Sequence, residues 1–180
     1  MPRPSGWNLV AHPRLLCDDP SVRVQRATFD DIATLRSLRL QALTDSPDAF
    51  GSTYERELAR SDDDWRRWIE PNPTYVLEAT PGSPTGIVAG THDEQDPDVA
   101  NLMALWVHPS LRGSGAGDLL VEAVLGWATD VKATSIRLCV TDGNEPARRL
   151  YARHGFVVTG SATIRDRDGR TDVEMSRPLR

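Results

Sequence analysis

The sequence is short of cysteine, of long apolar runs and of clustered positive charge, and each shortage removes a class of protein. Its two cysteines, Cys17 and Cys139, are too few and too isolated for a disulfide framework or a zinc site, so no metal is expected. Both are expected to be reduced, with Cys139 buried in a strand. No apolar stretch approaches the roughly 20 residues that a bilayer-spanning helix needs, which argues against a membrane partner. The opening Met1-Pro2-Arg3-Pro4-Ser5-Gly6 lacks the apolar core of a secretion signal, and the expectation is a cytoplasmic chain. Net charge is −5 and no block of Lys or Arg forms a stripe, so a nucleic-acid partner is not expected. A cationic amine, by contrast, is electrostatically welcome. Internal repeats and low-complexity segments are missing too.

What remains is an ordinary globular composition. Of 180 residues, 39% are hydrophobic and 26% charged, enough for one domain that buries about two thirds of its unfolded surface. That domain is expected over 21–180, behind an N-terminal extension, 1–20, with four prolines and little periodicity. Alternation marks a strand at 22–27. Ile32, Leu35, Leu38, Ala42 and Leu43 then recur at helical spacing, behind an N-cap within 28–31 and ahead of Pro47. A turn-rich loop holding Phe50 leads to a short helix capped by Ser61, with Trp65 and Trp68 on one face. Strands are expected at 74–80, 86–91 and 99–107, with an acidic turn at 92–98. A helix from Asp118, a strand at 135–141, a helix capped by Asn144 and closed by Gly155, and strands at 156–165 and 171–179 complete the order. This is an α+β fold in three layers, a mixed sheet with helices on its faces, as a monomer or homodimer.

The stretch 105–117, Leu-Trp-Val-His-Pro-Ser-Leu-Arg-Gly-Ser-Gly-Ala-Gly, joins an apolar strand to a helix through a proline break and a glycine turn. Gly113, Gly115 and Gly117 leave backbone N–H groups uncovered where the helix starts. Such a terminus has orphan donors and partial positive charge, and it binds phosphate. Arg112 adds a forked cation. A P-loop needs Lys-Ser/Thr after its last glycine, where Asp118 stands here. A dinucleotide fingerprint needs Gly-x-Gly-x-x-Gly, and its last place falls on Asp118 or Leu120. For the glycines alone, a flexible turn is the plainer account. The order Leu-x-Val-x-Pro, then Arg-Gly-x-Gly-x-Gly, is more specific, and it resembles the coenzyme A signature of the GNAT superfamily of N-acetyltransferases.

A second stretch, 144–156, Asn-Glu-Pro-Ala-Arg-Arg-Leu-Tyr-Ala-Arg-His-Gly-Phe, resembles the other GNAT signature, Asn-x-x-Ala-x-x-x-Tyr-x-x-x-Gly-Phe. The resemblance implies a mostly antiparallel, twisted sheet of about seven strands with about four helices. In such proteins the strands ending here at Val107 and Thr141 splay apart, and acetyl-CoA enters the wedge. It further implies that Leu105, Trp106 and Val107 meet the pantetheine arm, the latter two through their backbone. Arg112, Gly113, Ser114, Gly115, Ala116 and Gly117 take the pyrophosphate with Asp118 beside them. Asn144, Ala147 and Arg148 belong to the other wall. Tyr151 matches the family's general acid at the coenzyme sulfur, and its plainer account is a core tyrosine on an amphipathic helix. A phenol near pKa 10 protonating a thiolate near 8.5 is uphill by about 2 kcal/mol, so Tyr151 is tuned or mainly donates a hydrogen bond. The thioester carbonyl would be polarised by a backbone N–H, here that of Val107.

The general base is less legible. Relatives that modify protein N-termini carry a glutamate in the strand before the Asn-x-x-Ala motif, and by register that position is Cys139. Asp142, Glu55, Asp93 or a water chain remain as candidates, while His108 reads better as a turn residue and His154 as helix surface. The acceptor wall is assigned to Phe50, Trp65, Trp68, Asp93 and Asn101. The leading expectation is an acetyl-CoA-dependent N-acetyltransferase acting on a primary amine of a small molecule by direct transfer in a ternary complex. A protein lysine or N-terminal acetyltransferase, which would need an open groove, is the second reading. A catalytically silent acyl-CoA-binding module is the third.

Overall fold

The computed structural model describes residues 21–179, so the N-terminal extension and Cys17 lie outside the described residues. The chain runs β1 (Arg23–Arg26), α1 (Ile32–Asp45), α2 (Tyr54–Leu58), α3 (Asp62–Ile69), β2 (Thr74–Thr80), β3 (Ser83–His92) and β4 (Val99–Val107). It continues with α4 (Ala116–Asp130), β5 (Ser135–Thr141), α5 (Glu145–Arg153), β6 (Val157–Ile164) and β7 (Thr171–Pro178). Among the described residues, five helices therefore stand where about four were expected from the motif resemblance. The additional one, α2, spans one turn and a half behind a Thr53 cap, too short for a hydrophobic period to announce it.

Local chemistry sets the helix starts. Thr28 and Asp31 form a capping box ahead of α1, and the Thr28 amide donates to Asp31 Oδ2 at 2.8 Å. Ser61 and Asp64 do the same for α3, and the hydrogen bonds from Ser61 hold the Asp64 carboxyl down at about 2. The acids that open α3 are thereby explained without a functional role.

All seven strands lie in one sheet in the order β1-β2-β3-β4-β5-β7-β6, antiparallel throughout except for β4 beside β5. Helix α4 covers one face, packing Leu120, Val124 and Trp127 on Leu77, Val88, Ala100 and Leu138. Gly90 permits that contact, since a Cβ there would come within 2.6 Å of the Trp127 ring. Helices α1 and α3 cover the other face, with Leu35, Leu38, Trp65 and Ile69 against Val76, Ile87 and Trp106.

Two irregularities prepare the site. Strand β4 carries one residue too many opposite β3, with the register jumping between Ile87↔Trp106 and Ala89↔Met103 around Ala104 at φ 57°. This bulge reverses the side-chain alternation. Ala100 and Leu102 before it and Leu105 and Val107 after it all join the α4 core, while Trp106 turns to α1. Second, β4 and β5 pair only at Val99↔Ser135, Ala100↔Ile136 and Asn101↔Arg137. Beyond Asn101 the two parallel strands part, as the motif resemblance implied.

Candidate active site

The gap between β4 and β5 opens into a cleft of about 680 Å³. One wall is Leu105, Trp106 and Val107 with the turn Arg112, Gly113, Gly115, Gly117 and Asp118; the other is Asn144, Pro146, Ala147, Arg149, Leu150 and Arg153 of the α5 region. Both sequence motifs thus face one cavity. The His108 amide donates to Thr85 O on β3 at 2.8 Å. Strand alternation therefore turns the preceding Val107 amide to the edge that β5 has left. The Val107 carbonyl, on that same edge, accepts from Arg112 Nε at 3.1 Å.

Helix α4 begins without a side-chain cap. Its N-cap is Gly115 at φ 93°, a left-handed conformation that side chains resist, and Ser114 Oγ points back to Leu111 O at 2.6 Å. The first amides of a 15-residue helix are thus left to face the cleft. A Cβ built on Gly113 would meet nothing within 4 Å, so the turn leaves room for a group to approach the backbone. Ser114 and Ala116 are themselves buried and do not line it.

The charges around this turn are arranged differently from the sequence expectation. Arg112 does not stand free beside the glycines; it is ion-paired with Asp45 at the end of α1. Asp45 also accepts from Trp106 Nε1 at 3.0 Å and Ser46 Oγ at 2.7 Å. Burial pushes the Asp45 carboxyl up, but the hydrogen bonds from Trp106, Ser46 and Arg112 outweigh it and hold it below the ordinary value. One carboxylate therefore ties α1, the end of β4 and the glycine turn together. Asp118 is neutralised by Arg153 at 2.9 Å and touches His154 Nε2 at 3.0 Å. Arg148 turns to Glu145 at 3.2 Å rather than to the cleft. Its neighbour Arg149 lines the cleft with no ion pair or hydrogen bond among the described residues. Tyr151 lies one turn beyond Ala147 on α5. Its ring is buried, 6.0 Å from Phe156, and burial pushes the phenol well up.

A second cavity of about 270 Å³ adjoins the splay on the α1 side. Phe50, Trp65 and Trp68 line it together with Arg39, Glu57, Met103, Ala104, Cys139 and Asp172. Phe50 also borders the first cleft, so it stands between the two. Trp65 and Trp68 meet edge to face at 5.8 Å. Cys139 is exposed, not buried as expected: Ile136, Leu138 and Val140 take the core face of β5, and the residue between them looks the other way. Asp93 and Asn101 stand elsewhere. They bond each other at 3.2 Å beside the β3–β4 turn, where Asp93 also accepts from the Gln95 and Asp96 amides.

The second cavity is roofed by the loop between α1 and α2, which the far hairpin grips with three arginines. Arg165 Nη2 donates to Asp48 O at 2.8 Å, Arg167 donates to Pro47 O and Ser52 O at 3.1 Å each, and Arg170 pairs with Asp48 at 2.6 Å. Thr141 Oγ1 adds a bond to Asp48 O at 3.3 Å.

The carboxylates named from sequence as bases are placed unevenly. Glu55 is on the exposed side of α2, and Asp142 accepts from the Gly143 amide at 3.1 Å. His108 bonds Ser110 Oγ at 2.7 Å within its turn. Asp172 was missed, because nothing in the sequence around it marks it. Sheet register alone brings it beside Cys139, opposite Thr141. Its side chain makes no hydrogen bond among the described residues, and its nearest cation is Arg165 Nε at 3.7 Å.

Comparison with known proteins decides the family: the model of the acetyltransferase (GNAT) family matches residues 37–156. This chain belongs to that family. A relative, the peptidyl-lysine N-acetyltransferase YjaB of Escherichia coli, is 25% identical over 81% of this chain and 88% of its own length. The mycothiol acetyltransferase of Acidothermus cellulolyticus is 26% identical over 90% of this chain, but over only 52% of its own length. In fold, this GNAT acyltransferase matches the yncA protein of Salmonella typhimurium, solved with its cofactor acetyl-CoA, at a TM-score of 0.74 and 19% identity, covering 88% and 94% of the two chains. Among the described residues, no helix of this acetyltransferase is long and apolar enough to cross a membrane.

Proposed function

We propose that this chain moves an acetyl group from acetyl-CoA to the primary amine of a small molecule, by direct attack in a ternary complex. The observation that carries the choice of acceptor is the roofed cavity of about 270 Å³ beside the splay. A lysine on a folded protein needs an open groove. Here the α1–α2 loop is held across the gap by Arg165, Arg167 and Arg170. The expectation of a cytoplasmic chain without a nucleic-acid partner goes with this reading.

The residues of the larger cleft fit acetyl-CoA. The uncapped amides of α4 suit its pyrophosphate, and Arg149 offers an unpaired cation at the rim. Leu105, Trp106 and Val107 offer a free strand edge to the amide-bearing arm. When bound, acetyl-CoA would supply a thioester whose C–S bond breaks as the acceptor's N–C bond forms, and the sulfur would leave as a thiolate that takes its proton from water afterwards. The Val107 amide donates to the carbonyl oxygen, where negative charge gathers. As the N–C bond forms, the nitrogen becomes cationic and its proton acidic, and the Asp172 carboxylate takes it. Tyr151, whose burial favours the neutral phenol, donates a hydrogen bond to the departing sulfur and keeps its proton.

Thiol release from acetyl-CoA against a panel of small amines and lysine-containing peptides tests this, with wild type beside Tyr151→Phe. Turnover of small amines is expected, about tenfold slower in the variant at unchanged acetyl-CoA affinity. Turnover of peptides alone overturns the acceptor class, and tight acetyl-CoA binding without any turnover favours the silent module.

A further inference from the structure

The second cavity is electrically two-ended. At one end Arg39 lines the wall with its side chain nine-tenths buried, and its Nη1 has no hydrogen-bond partner. The Trp65 Nε1, another donor, is also unpartnered. Arg39 reaches its nearest carboxylate, Glu57, only at 3.8 Å, whereas Arg60 holds Glu57 at 2.9 Å. Glu57 is thus neutralised without Arg39, and two guanidiniums share one carboxylate. Buried orphan donors call for an acceptor, and an uncompensated cation calls for an anion.

The other end has the opposite sign. Cys139 lies beside Asp172 and Glu174 of β7, and their charges, behind the larger effect of burial, push its thiol up. These two carboxylates stand where β5 leaves β4, the end nearest the splay, with Arg165 Nε 3.7 Å from Asp172. The lining also includes the rings of Phe50, Trp65 and Trp68, with the Arg39 guanidinium stacked 4.7 Å from the Phe50 ring centre.

We infer that the acceptor is an amino carboxylate, an amino acid or close analogue. Its carboxylate is held by Arg39, its side chain lies against the aromatic wall, and its amino group points to Asp172 at the splay. This rests on the reading of acetyl transfer to a small amine given above and narrows it. Both orphan nitrogens are shielded from solvent beside the cavity that Arg39 and Trp65 line, so a bound carboxylate has to draw Arg39 forward from Glu57, which Arg60 retains. A simple amine satisfies only the anionic end, and a peptide-linked amino acid has no carboxylate to offer.

The test compares α-amino acids with their C-terminal amides and their decarboxylated amines in the same thiol-release assay, on the full chain. The amides keep the size, remove the negative charge and turn one acceptor oxygen into an N–H donor. The acids are expected to be at least tenfold better in kcat/KM, with the gain in KM, and Arg39→Lys is expected to shrink that preference while leaving acetyl-CoA affinity unchanged. The wild-type comparison stands even if the variant folds poorly. Equal or better rates for the amides and amines overturn the inference and leave transfer to a small amine standing. Turnover confined to lysine peptides removes both.

Discussion

The two sides of the β4–β5 splay draw on the chain in different ways. The larger cleft takes its lining from two stretches, 105–118 and 144–153, with only Ser46, Ala49 and Phe50 added from outside. The smaller cavity draws on α1, the loop after it, α2, α3, β4, β5 and β7. The first is a backbone device, in which a glycine turn and an uncapped helix would suit a common cofactor. The second is assembled from side chains that meet only when the sheet is complete. A cofactor shared by many enzymes allows a stereotyped cradle, whereas an acceptor peculiar to one enzyme needs a composed wall.

Substitutions on the two sides should therefore separate. The largest effect is expected from Asp172→Asn, which lowers kcat on the best amine about 100-fold, the low end for a lost proton acceptor. Acetyl-CoA binding, measured by calorimetry, should not change. A variant with wild-type kcat would return the base to a water chain. Next comes Gly115→Val, which forces a β-branched residue into a left-handed conformation at about 1–3 kcal/mol and closes the helix terminus. Acetyl-CoA affinity should fall at least tenfold, and the acceptor preference among amines should survive. An unchanged affinity would mean that the cradle is not where the pyrophosphate sits. Smallest is Arg167→Ala, which removes two bonds to the roof loop. The amine KM should rise several-fold and the melting temperature drop by a few degrees, roughly 1–2 kcal/mol, with acetyl-CoA affinity intact. If acetyl-CoA affinity fell instead, the roof would belong to both sides.

The same contrast explains what the sequence could tell. Strand alternation and helix caps are local, and the layers follow from them; the splay and the cleft were implied by the family resemblance that the glycine- and asparagine-led motifs carry. Helix α2 escaped because five residues cannot show a helical period. The reversal of facing along β4 depends on one extra residue at Ala104, which no periodicity signals. Cys139 was expected in the core because its neighbours are apolar, yet in a strand every second residue faces away from them. The partnership of Arg112 with Asp45 spans 67 positions, and that of Asp48 with Arg170 spans 122. Asp172 became visible only once β7 had inserted between β5 and β6. Asp93, legible as an acid in a turn, proved to be occupied with the turn itself.

The grip of the β6–β7 hairpin on the α1–α2 loop has a temporal consequence. The segment carrying both motifs, from the strand before the glycine turn to the end of α5, emerges from the ribosome before Arg165, Arg167 and Arg170 do. The roof loop, made more than 100 residues earlier, waits for them, with sequence separations of 115 to 122 at the grip. A nascent chain halted before β7 would have every residue of the proposed coenzyme cradle, while the proposed acceptor chamber would be unfinished and lack Asp172. On the function proposed above, selectivity is the last property that synthesis confers on this enzyme.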